Sequence, residues 1–227
     1  MTLREFDYAT VEAAASALAR RLVQIIRTSI AEDGNAVLAV SGGRTPRLVF
    51  EQLRESDISW SDVIVTLTDE RWVANDHSES NERLVREYLL KGRAEGATFI
   101  PLYGGESSVE IGLQACESRL LSIEKPIDAV YLGMGADGHI ASLFPNTHVI
   151  QSNHSKCVAV PATPDRLPRL SLSIDTILRA REVFLLYSGR DKHEAYLAAK
   201  NSDNLPNSPL WSILSQQVTP VCVLRTS

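Results

Sequence analysis

Hydrophobic positions in this chain follow two patterns that alternate along its length. From Thr10 to Ile30, apolar residues recur at the three- and four-residue spacing of one helical face. Short unbroken apolar runs, such as Ala36–Val40 and Val63–Leu67, indicate strands that are buried on both sides. The alternation of helices and strands predicts an α/β fold, in which helices cover both faces of a mostly parallel, Rossmann-like sheet.

The same patterns set the bounds of the individual elements. Helices are predicted at Thr10–Ile30, Pro46–Arg54, from Ser80 onward, and at Glu106–Ile123, Ile174–Ala180 and Asp191–Ala199. Strands are predicted at Ala36–Val40, Val63–Leu67, Thr98–Ile100, Ile127–Leu132, Cys157–Val160, Arg169–Ser173, Val183–Tyr187 and Val218–Leu224. The apolar face of the Glu106–Ile123 helix is expected to comprise Val109, Ile111, Leu113, Leu120 and Leu121. Loops are expected at Asn146–Ser155 and Pro161–Pro168. No repeat or linker interrupts the chain, so residues 1–227 are expected to form a single domain.

The composition and net charge limit the kinds of molecule that the chain is expected to bind. The chain has 227 residues, a formal net charge of -5 and no basic run, which argues against a nucleic acid or a membrane surface bound by electrostatics. A small anionic substrate would therefore need a local positive pocket. The oligomeric state is left open.

The cysteines and the apolar stretches bear on location. Cys116, Cys157 and Cys222 are odd in number and widely spaced, which is typical of reduced thiols in a cytoplasmic protein. The sequence shows neither a basic-then-apolar N-terminal signal nor an apolar stretch of ~18 residues. A cytoplasmic location is therefore expected, without secretion or membrane insertion.

The stretch Gly133–Pro145 carries the strongest chemical signal. A buried strand runs into three glycines within six residues, and this turn presents Asp137 and His139 two residues apart. Ligands bind at the carboxyl ends of strands in an open α/β sheet, so these two side chains are candidates for a functional site. The glycine spacing also matches a dinucleotide-binding fingerprint. However, no acidic residue occurs between His139 and Asp165 to hold a ribose, which argues against NAD.

Three further strand ends carry glycine-rich or charged segments. They are Ser41-Gly-Gly-Arg-Thr-Pro46, Thr68-Asp-Glu-Arg-Trp-Val73 and Ser188-Gly-Arg-Asp-Lys192. Pro46 suits the first turn of a helix, so the glycines before it can direct backbone N–H groups at an anion. The alternatives are an ordinary strand-to-helix turn for the first segment and a solvated ion pair for the second.

Taken together and in this order, with Arg169-Leu-Ser-Leu-Ser173 between the last two, the four segments closely resemble the 6-phosphogluconolactonase family over nearly the whole chain. The resemblance implies a fold related to the glucosamine-6-phosphate isomerases. It implies hydrolysis of 6-phospho-D-glucono-1,5-lactone to 6-phospho-D-gluconate in the oxidative pentose phosphate pathway, with no metal and no cofactor. Three features differ from the family pattern: Ile140 stands where lactonases often carry Thr, Asn146 stands where Gly is common, and the Pro-rich segment Pro161–Pro168 is irregular.

Hydrolysis of a lactone needs an activated water and donors for the oxyanion. His139 is the candidate base, since an imidazole titrates near ~6.5. Either Asp69 or Asp137 could orient its ring by accepting from the other nitrogen, and the sequence does not decide between them. Arg71 is the candidate for holding the lactone carbonyl or its developing charge, with an ion pair to Asp69 or Glu70 as the alternative.

The remaining candidates concern the sugar and its phosphate. The residues expected to bind substrate are Gly42, Gly43, Arg44, Thr45, Asn81, Gly135, Arg169 and Lys192. The glycine segment would supply backbone donors to the phosphate, and Arg169 and Lys192 would supply cations. Either cation could instead be a surface charge. Asn81 could touch a sugar hydroxyl or cap its helix.

Other functions fit parts of the pattern. The isomerases share Asp-Gly-His-Ile-Ala but continue with Phe-Asn-Glu-Pro, whose Glu handles protons during ring opening, and Phe144 occupies that position here. A sugar-phosphate sensor is the non-enzymatic alternative, although the retention of Asp69, Asp137 and His139 argues against it. A serine hydrolase lacks its Gly-x-Ser-x-Gly motif here, and the five histidines show no metal-ligand spacing.

Overall fold

The structure is a computed structural model that describes residues 3–147 and 155–226. Its strands are β1 (Leu3–Tyr8), β2 (Ala36–Val40), β3 (Val63–Leu67), β4 (Asp69–Arg71), β5 (Thr98–Ile100), β6 (Ala129–Leu132), β7 (Cys157–Val160), β8 (Arg169–Leu172), β9 (Glu182–Ser188) and β10 (Val221–Thr226). Its α-helices are α1 (Val11–Asp33), α2 (Arg44–Leu53), α3 (Asn81–Tyr88), α4 (Val109–Leu121), α5 (Ile174–Leu178), α6 (Arg190–Lys200) and α7 (Pro209–Ser215). Of the loop predicted at Asn146–Ser155, residues 148–154 lie outside the described residues.

Seven strands form the main sheet, in the order β1-β10-β9-β6-β2-β3-β5. Each neighbouring pair in this sheet runs parallel. The central strands β2 and β6 are buried along their whole length, because helices and connecting segments cover them. The predicted class, a mostly parallel sheet flanked by helices, is confirmed.

The connections of β2 and β6 create a crevice between them. The chain leaves β2 through α2 toward β3 on one side, and it leaves β6 toward β9 on the other side. Adjacent strands whose connections diverge in this way form a topological switch point, where ligands bind in α/β sheets. The glycine segments after the two strands therefore meet at one edge of the sheet.

The N-terminal strand β1 was not foreseen by the sequence analysis, which assigned no element before Thr10. This strand lies at the edge of the main sheet and pairs only with β10. Its sequence, Leu-Arg-Glu-Phe-Asp-Tyr, carries charges at half of its positions. Charged side chains are common on edge strands, where they discourage pairing with a further strand. Because of these charges, β1 lacks the unbroken apolar run by which the other strands were predicted.

A second sheet also departs from the prediction. The strands at 157–160 and 169–172 were predicted at nearly these bounds, but they join β4 in a separate antiparallel sheet of order β4-β8-β7. Register places Asp69 opposite Ser171 and Arg71 opposite Arg169. The small sheet thus brings two charged segments together that are about 100 residues apart in sequence.

The predicted face of α4 is partly wrong. Ile111 and Leu121 are exposed, whereas the buried residues of this helix are Gly112, Cys116 and Leu120. The helix begins three residues later than predicted, at a cap in which the Ser108 side chain accepts from the N–H of Ile111.

Other features of the core agree with the sequence. All three cysteines are free and buried. Among the described residues, no helix has the length and apolar character needed to cross a bilayer.

Candidate functional site

A cavity of about 200 Å³ lies at the carboxyl edge of the main sheet. Its lining includes Gly42, Gly43, Arg44, Thr45, Asp69, Arg71, Asn81, His139, Arg169 and Lys192. The structure therefore brings together every predicted site residue except Asp137 and Gly135, which lie behind His139. Within the described ranges, four cationic side chains and one aspartate line this cavity, so the acidic chain contains a local positive pocket of the kind that a small anionic substrate would need.

His139 is held by Asp137. Oδ1 of Asp137 accepts from Nδ1 of the imidazole at 2.6 Å and from the backbone N–H of His139 at 3.2 Å. A carboxylate only accepts, so Nδ1 carries the hydrogen and Nε2 is left with its lone pair. Partial burial alone would raise the pKa of Asp137, but the charge and hydrogen bonds of His139 lower it overall. Of the two carboxylates left open by the sequence, the structure places Asp137 on the imidazole.

Gly135 makes room for this pair. A Cβ on Gly135 would lie 2.2 Å from Nδ1 of His139 and 2.5 Å from Oδ1 of Asp137. The turn is closed by a backbone hydrogen bond from the N–H of Gly135 to the carbonyl of His139 at 2.9 Å. Glycine is therefore required here by close approach, since any side chain would separate the two groups.

Asp69 belongs to a different network. Its Oδ2 accepts from the Ser142 hydroxyl at 2.6 Å, and its Oδ1 accepts from the amide of Asn81 at 3.3 Å. Arg169 lies 3.7 Å from Oδ2 of Asp69 and donates to Oγ of Ser142 at 3.3 Å. This buried carboxylate is thus fixed by three partners from three separate segments.

Glu70 holds the start of α3. Its two carboxylate oxygens accept from the N–H groups of Asn81 and Glu82 and from the hydroxyl of Ser80, at 2.7–3.0 Å. A carboxylate at a helix N-terminus satisfies donors that have no partner within the helix. Burial raises the pKa of Glu70, and these hydrogen bonds offset part of that effect. The result is a fixed position for Asn81.

The position of Asn81 in turn requires Gly42. The side-chain amide of Asn81 donates to the carbonyl of Asp69 at 2.8 Å, and a Cβ on Gly42 would lie 1.8 Å from its Oδ1. Helix α3 is capped by Ser80 and not by Asn81, so the capping alternative for Asn81 is wrong.

The guanidinium of Arg71 faces the same cavity. Nη1 donates to the carbonyl of Glu79, while Nε is buried with no partner among the described residues. Glu70 uses its carboxylate on the backbone N–H of Arg71 and on α3. A buried donor without an acceptor is costly, which makes Arg71 available for a ligand oxygen.

The other end of the cavity is formed by α2 and Lys192. Gly43, with φ of 118°, is the N-cap residue of helix α2, and no side chain in the described part of the chain caps this helix. Helices α1, α3, α4, α5 and α7 are capped by Ser or Thr side chains. The half-buried ammonium of Lys192 pairs with no acid among the described residues, and burial together with the charge of Arg44 lowers its pKa. Free helix N–H groups beside an unpaired cation suit an anion.

The charged neighbours of Arg169 differ from those of Lys192. Burial lowers the pKa of Arg169, and the charges of Arg71 and Arg166 add to this effect, while Asp69 opposes it. The two cations that the sequence analysis assigned to one phosphate therefore line the same cavity with separate sets of neighbours.

Residues 9–221 match the family model described as glucosamine-6-phosphate isomerases/6-phosphogluconolactonase. The chain belongs to this family. It is 39% identical over 217 residues to the 6-phosphogluconolactonase of Neisseria meningitidis, covering 93% of this chain and 94% of that one. It superimposes on the crystal structure of a 6-phosphogluconolactonase from Shewanella baltica with a TM-score of 0.94 and 37% identity, covering 99% and 98% of the two chains. A monomeric glucosamine-6-phosphate deaminase shares the fold at a TM-score of 0.83 and 22% identity, with 98% and 97% covered.

Two of the three departures from the family pattern, Asn146 and Ile140, have simple structural outcomes. Asn146, which stands where Gly is common, has φ of 60°. Asn tolerates this left-handed conformation better than other non-glycine residues, so the turn survives the exchange. Ile140 is fully buried below the His139 turn, where an apolar side chain fits.

Sequence reasoning missed the roles of Ser142 and Glu70 in building this family site. Ser142 lies within the Gly133–Pro145 motif and Glu70 lies within the charged segment Thr68–Val73, so both belong to segments that the sequence marks as candidates. Their partners, Asp69 and α3, come from other parts of the chain, which no spacing in the sequence indicates. In the described ranges, no three His, Cys, Asp or Glu side chains gather as a metal site would need.

Replacing Gly135 with Ala should separate His139 from Asp137. The added methyl cannot remain 2.2 Å from Nδ1, so the imidazole or the carboxylate must move. Without its partner, Asp137 loses the interaction that lowers its pKa, and carboxyl NMR should show that pKa rising. Gly133→Ala is the matched control, because a Cβ there meets only Oγ of Ser41 at 3.5 Å. An unchanged Asp137 titration in Gly135→Ala would contradict the geometry.

Proposed function

We propose that this chain hydrolyses 6-phospho-D-glucono-1,5-lactone to 6-phospho-D-gluconate, the reaction named by its 6-phosphogluconolactonase relatives, in the oxidative pentose phosphate pathway. The observation that carries the proposal is His139, with Asp137 on Nδ1 and Nε2 free, in the wall of a cationic cavity. The relatives' names at 39% identity over nearly the full length support the same reaction. A cytoplasmic location and a small phosphorylated lactone as the partner belong to this proposal.

His139 acts as the general base. Nε2 removes a proton from a water as the water oxygen bonds to C1 of the lactone, and the carbonyl electrons move onto oxygen. When this tetrahedral intermediate collapses, the bond from C1 to the ring oxygen breaks, and the imidazolium returns its proton to that oxygen. Asp137 stabilises the transient imidazolium and keeps the ring oriented.

The negative charge on the carbonyl oxygen is met by Arg71. Its Nε is buried and has no acceptor among the described residues, so it can bind this oxygen without losing an existing bond. Ser142, Asn81 and Arg169 fix Asp69 beside it. Such preorganised donors need no reorientation when charge develops, which is the main source of electrostatic catalysis.

The phosphate binds at the α2 end. Backbone groups of Gly42, Gly43, Arg44 and Thr45 and the ammonium of Lys192 surround that end of the cavity. Arg169 is the proposed second cation, and Asn81 and Gly135 complete the set by shaping the walls near the sugar and the base. A phosphate here satisfies donors that are otherwise unpaired within the described residues.

Amino-sugar isomerisation is disfavoured by Phe144. This side chain occupies the position of the isomerase Glu and packs against the imidazole of His139, with ring centroids 4.5 Å apart. A phenyl ring cannot exchange protons, whereas attack of water on an ester carbonyl needs no ring-opening acid. A sensor that only binds sugar phosphate is disfavoured by the complete His139–Asp137 pair.

Removing the base should remove turnover and leave binding. His139→Asn cannot accept the proton, and the loss of a general base typically lowers the rate ~10²–10⁴-fold. A coupled assay on fresh phosphogluconolactone, corrected for uncatalysed hydrolysis, measures this change. Near-wild-type turnover in the variant would refute the assignment of His139.

Lys192→Ala should discriminate between ligands. A charge-assisted bond to phosphate contributes ~1.5–3 kcal/mol, so kcat/KM should fall roughly 10–100-fold for the phosphorylated lactone and little for glucono-1,5-lactone. Lys200→Ala on the same helix is the control, because Lys200 pairs with Glu5 away from the cavity. Equal losses for both lactones would rule out a phosphate contact by Lys192.

The reaction type is tested with the isomerase substrate. Glucosamine 6-phosphate incubated with the purified protein should yield neither ammonia nor fructose 6-phosphate, while phosphogluconolactone is consumed above background. Rapid deamination without acceleration of lactone hydrolysis would overturn the proposed function.

A further inference from the structure

Arg166 lies against the aromatic ring that contacts the proposed base. Its guanidinium carbon is 3.5 Å from the centroid of the Phe144 ring. Its Nε is buried and has no hydrogen-bond partner among the described residues. The loop that carries it is closed by reciprocal backbone hydrogen bonds between Thr163 and Arg166 at 2.9 and 3.2 Å. This side chain is therefore held in place from a short, closed turn.

Phe144 links this cation to His139. The Phe144 and His139 rings are tilted by 36°, with centroids 4.5 Å apart, and Phe144 is only 8% exposed. A guanidinium on an aromatic face gains cation–π stabilisation, more so when it is shielded from water. One buried ring thus contacts both a permanent cation and a group that becomes cationic during the proposed reaction.

Several other charges face the imidazole. Asp137, on the same turn, accepts from Nδ1 of His139 at 2.6 Å. The other charged residues of the cavity lining are Arg44, Asp69, Arg71, Arg169 and Lys192. Among the described residues, Arg166 is the cation nearest the Phe144 ring, with its guanidinium carbon 3.5 Å from the ring centroid, whereas that of Arg169 lies 5.7 Å away. In general, a nearby positive charge disfavours protonation of a base, whereas a nearby carboxylate favours it.

We propose that Arg166 is a positioning residue: through Phe144 it fixes the imidazole of His139 and favours its neutral, proton-accepting form. This inference rests on the proposed function, in which His139 acts as the base. It also gives Phe144 a role of its own in the lactonase site, which is to link Arg166 to His139, in addition to replacing the isomerase Glu.

Two substitutions separate charge from packing. Arg166→Met keeps a long side chain on the Phe144 ring but removes the charge, and Arg166→Lys keeps the charge but removes the planar stack. Arg86→Met is the matched control, because Arg86 stacks on Phe99 at 4.9 Å, away from the cavity lining. The readouts are the pH dependence of kcat/KM, corrected for uncatalysed hydrolysis, and the proton NMR titration of the His139 ring without substrate, assigned by its loss in His139→Asn.

The Arg166→Met variant should move the acid limb of kcat/KM and the NMR midpoint of His139 upward together, by roughly 0.5–1 pH unit. The Arg166→Lys variant should show less than half of that shift, and the Arg86→Met variant none. An unchanged NMR midpoint of His139 in the Arg166→Met variant would overturn the proposal. This holds even if the activity of the variant is lowered at every pH, because a uniform loss of activity would reflect altered packing. The NMR titration needs no turnover. If the protein does not hydrolyse the lactone, the proposed function is refuted, but the titration still tests the effect of Arg166 on His139.

Discussion

The parallel pairing of β2 with β6 is the constraint on which the site depends. Register places Val40 beside Tyr131, so the two strands end together and their glycine segments leave the sheet side by side. Both strands are fully buried, and a slip in their register would move the ends of the two strands apart and so separate the segments. The apolar core thus sets the distance between the α2 N-terminus and the His139 turn, which the proposed reaction uses as its two ends.

Two buried carboxylates then hold the remaining parts in place. Asp69 joins Ser142, Asn81 and Arg169, and Glu70 binds the first N–H groups of α3. Leaving any of these buried groups without a partner would cost about 1–3 kcal/mol, so each network resists rearrangement. Among the described residues, cationic side chains and the uncapped N–H groups of α2 keep unpaired donors toward the cavity. In the proposed mechanism, substrate supplies the acceptors that the folded chain lacks.

The sequence predicts helices and strands that are determined by local residue patterns. It does not predict contacts between segments that are far apart in the chain. The apolar runs at 36–40 and 63–67 form strands with the predicted bounds, and the motif around His139 was assigned to the carboxyl end of its strand. The edge strand β1 was not predicted, because its charged residues interrupt the apolar run that indicates a strand. The small sheet, which sets Arg71 opposite Arg169, and the bond from Ser142 to Asp69 join segments far apart in sequence. Asp137 could be chosen over Asp69 only from the geometry of the turn.

In the proposed mechanism, a single ligand spans the cavity with its phosphate at α2 and its C1 at His139. A crystal structure of the protein with 6-phosphogluconate tests this claim most directly. We expect the phosphate oxygens within hydrogen-bond distance of the Gly43–Thr45 backbone and Lys192. We expect the C1 carboxylate beside Nε2 of His139 and the guanidinium of Arg71. A ligand bound in the reverse direction, with its phosphate at His139 and Arg71, would contradict it.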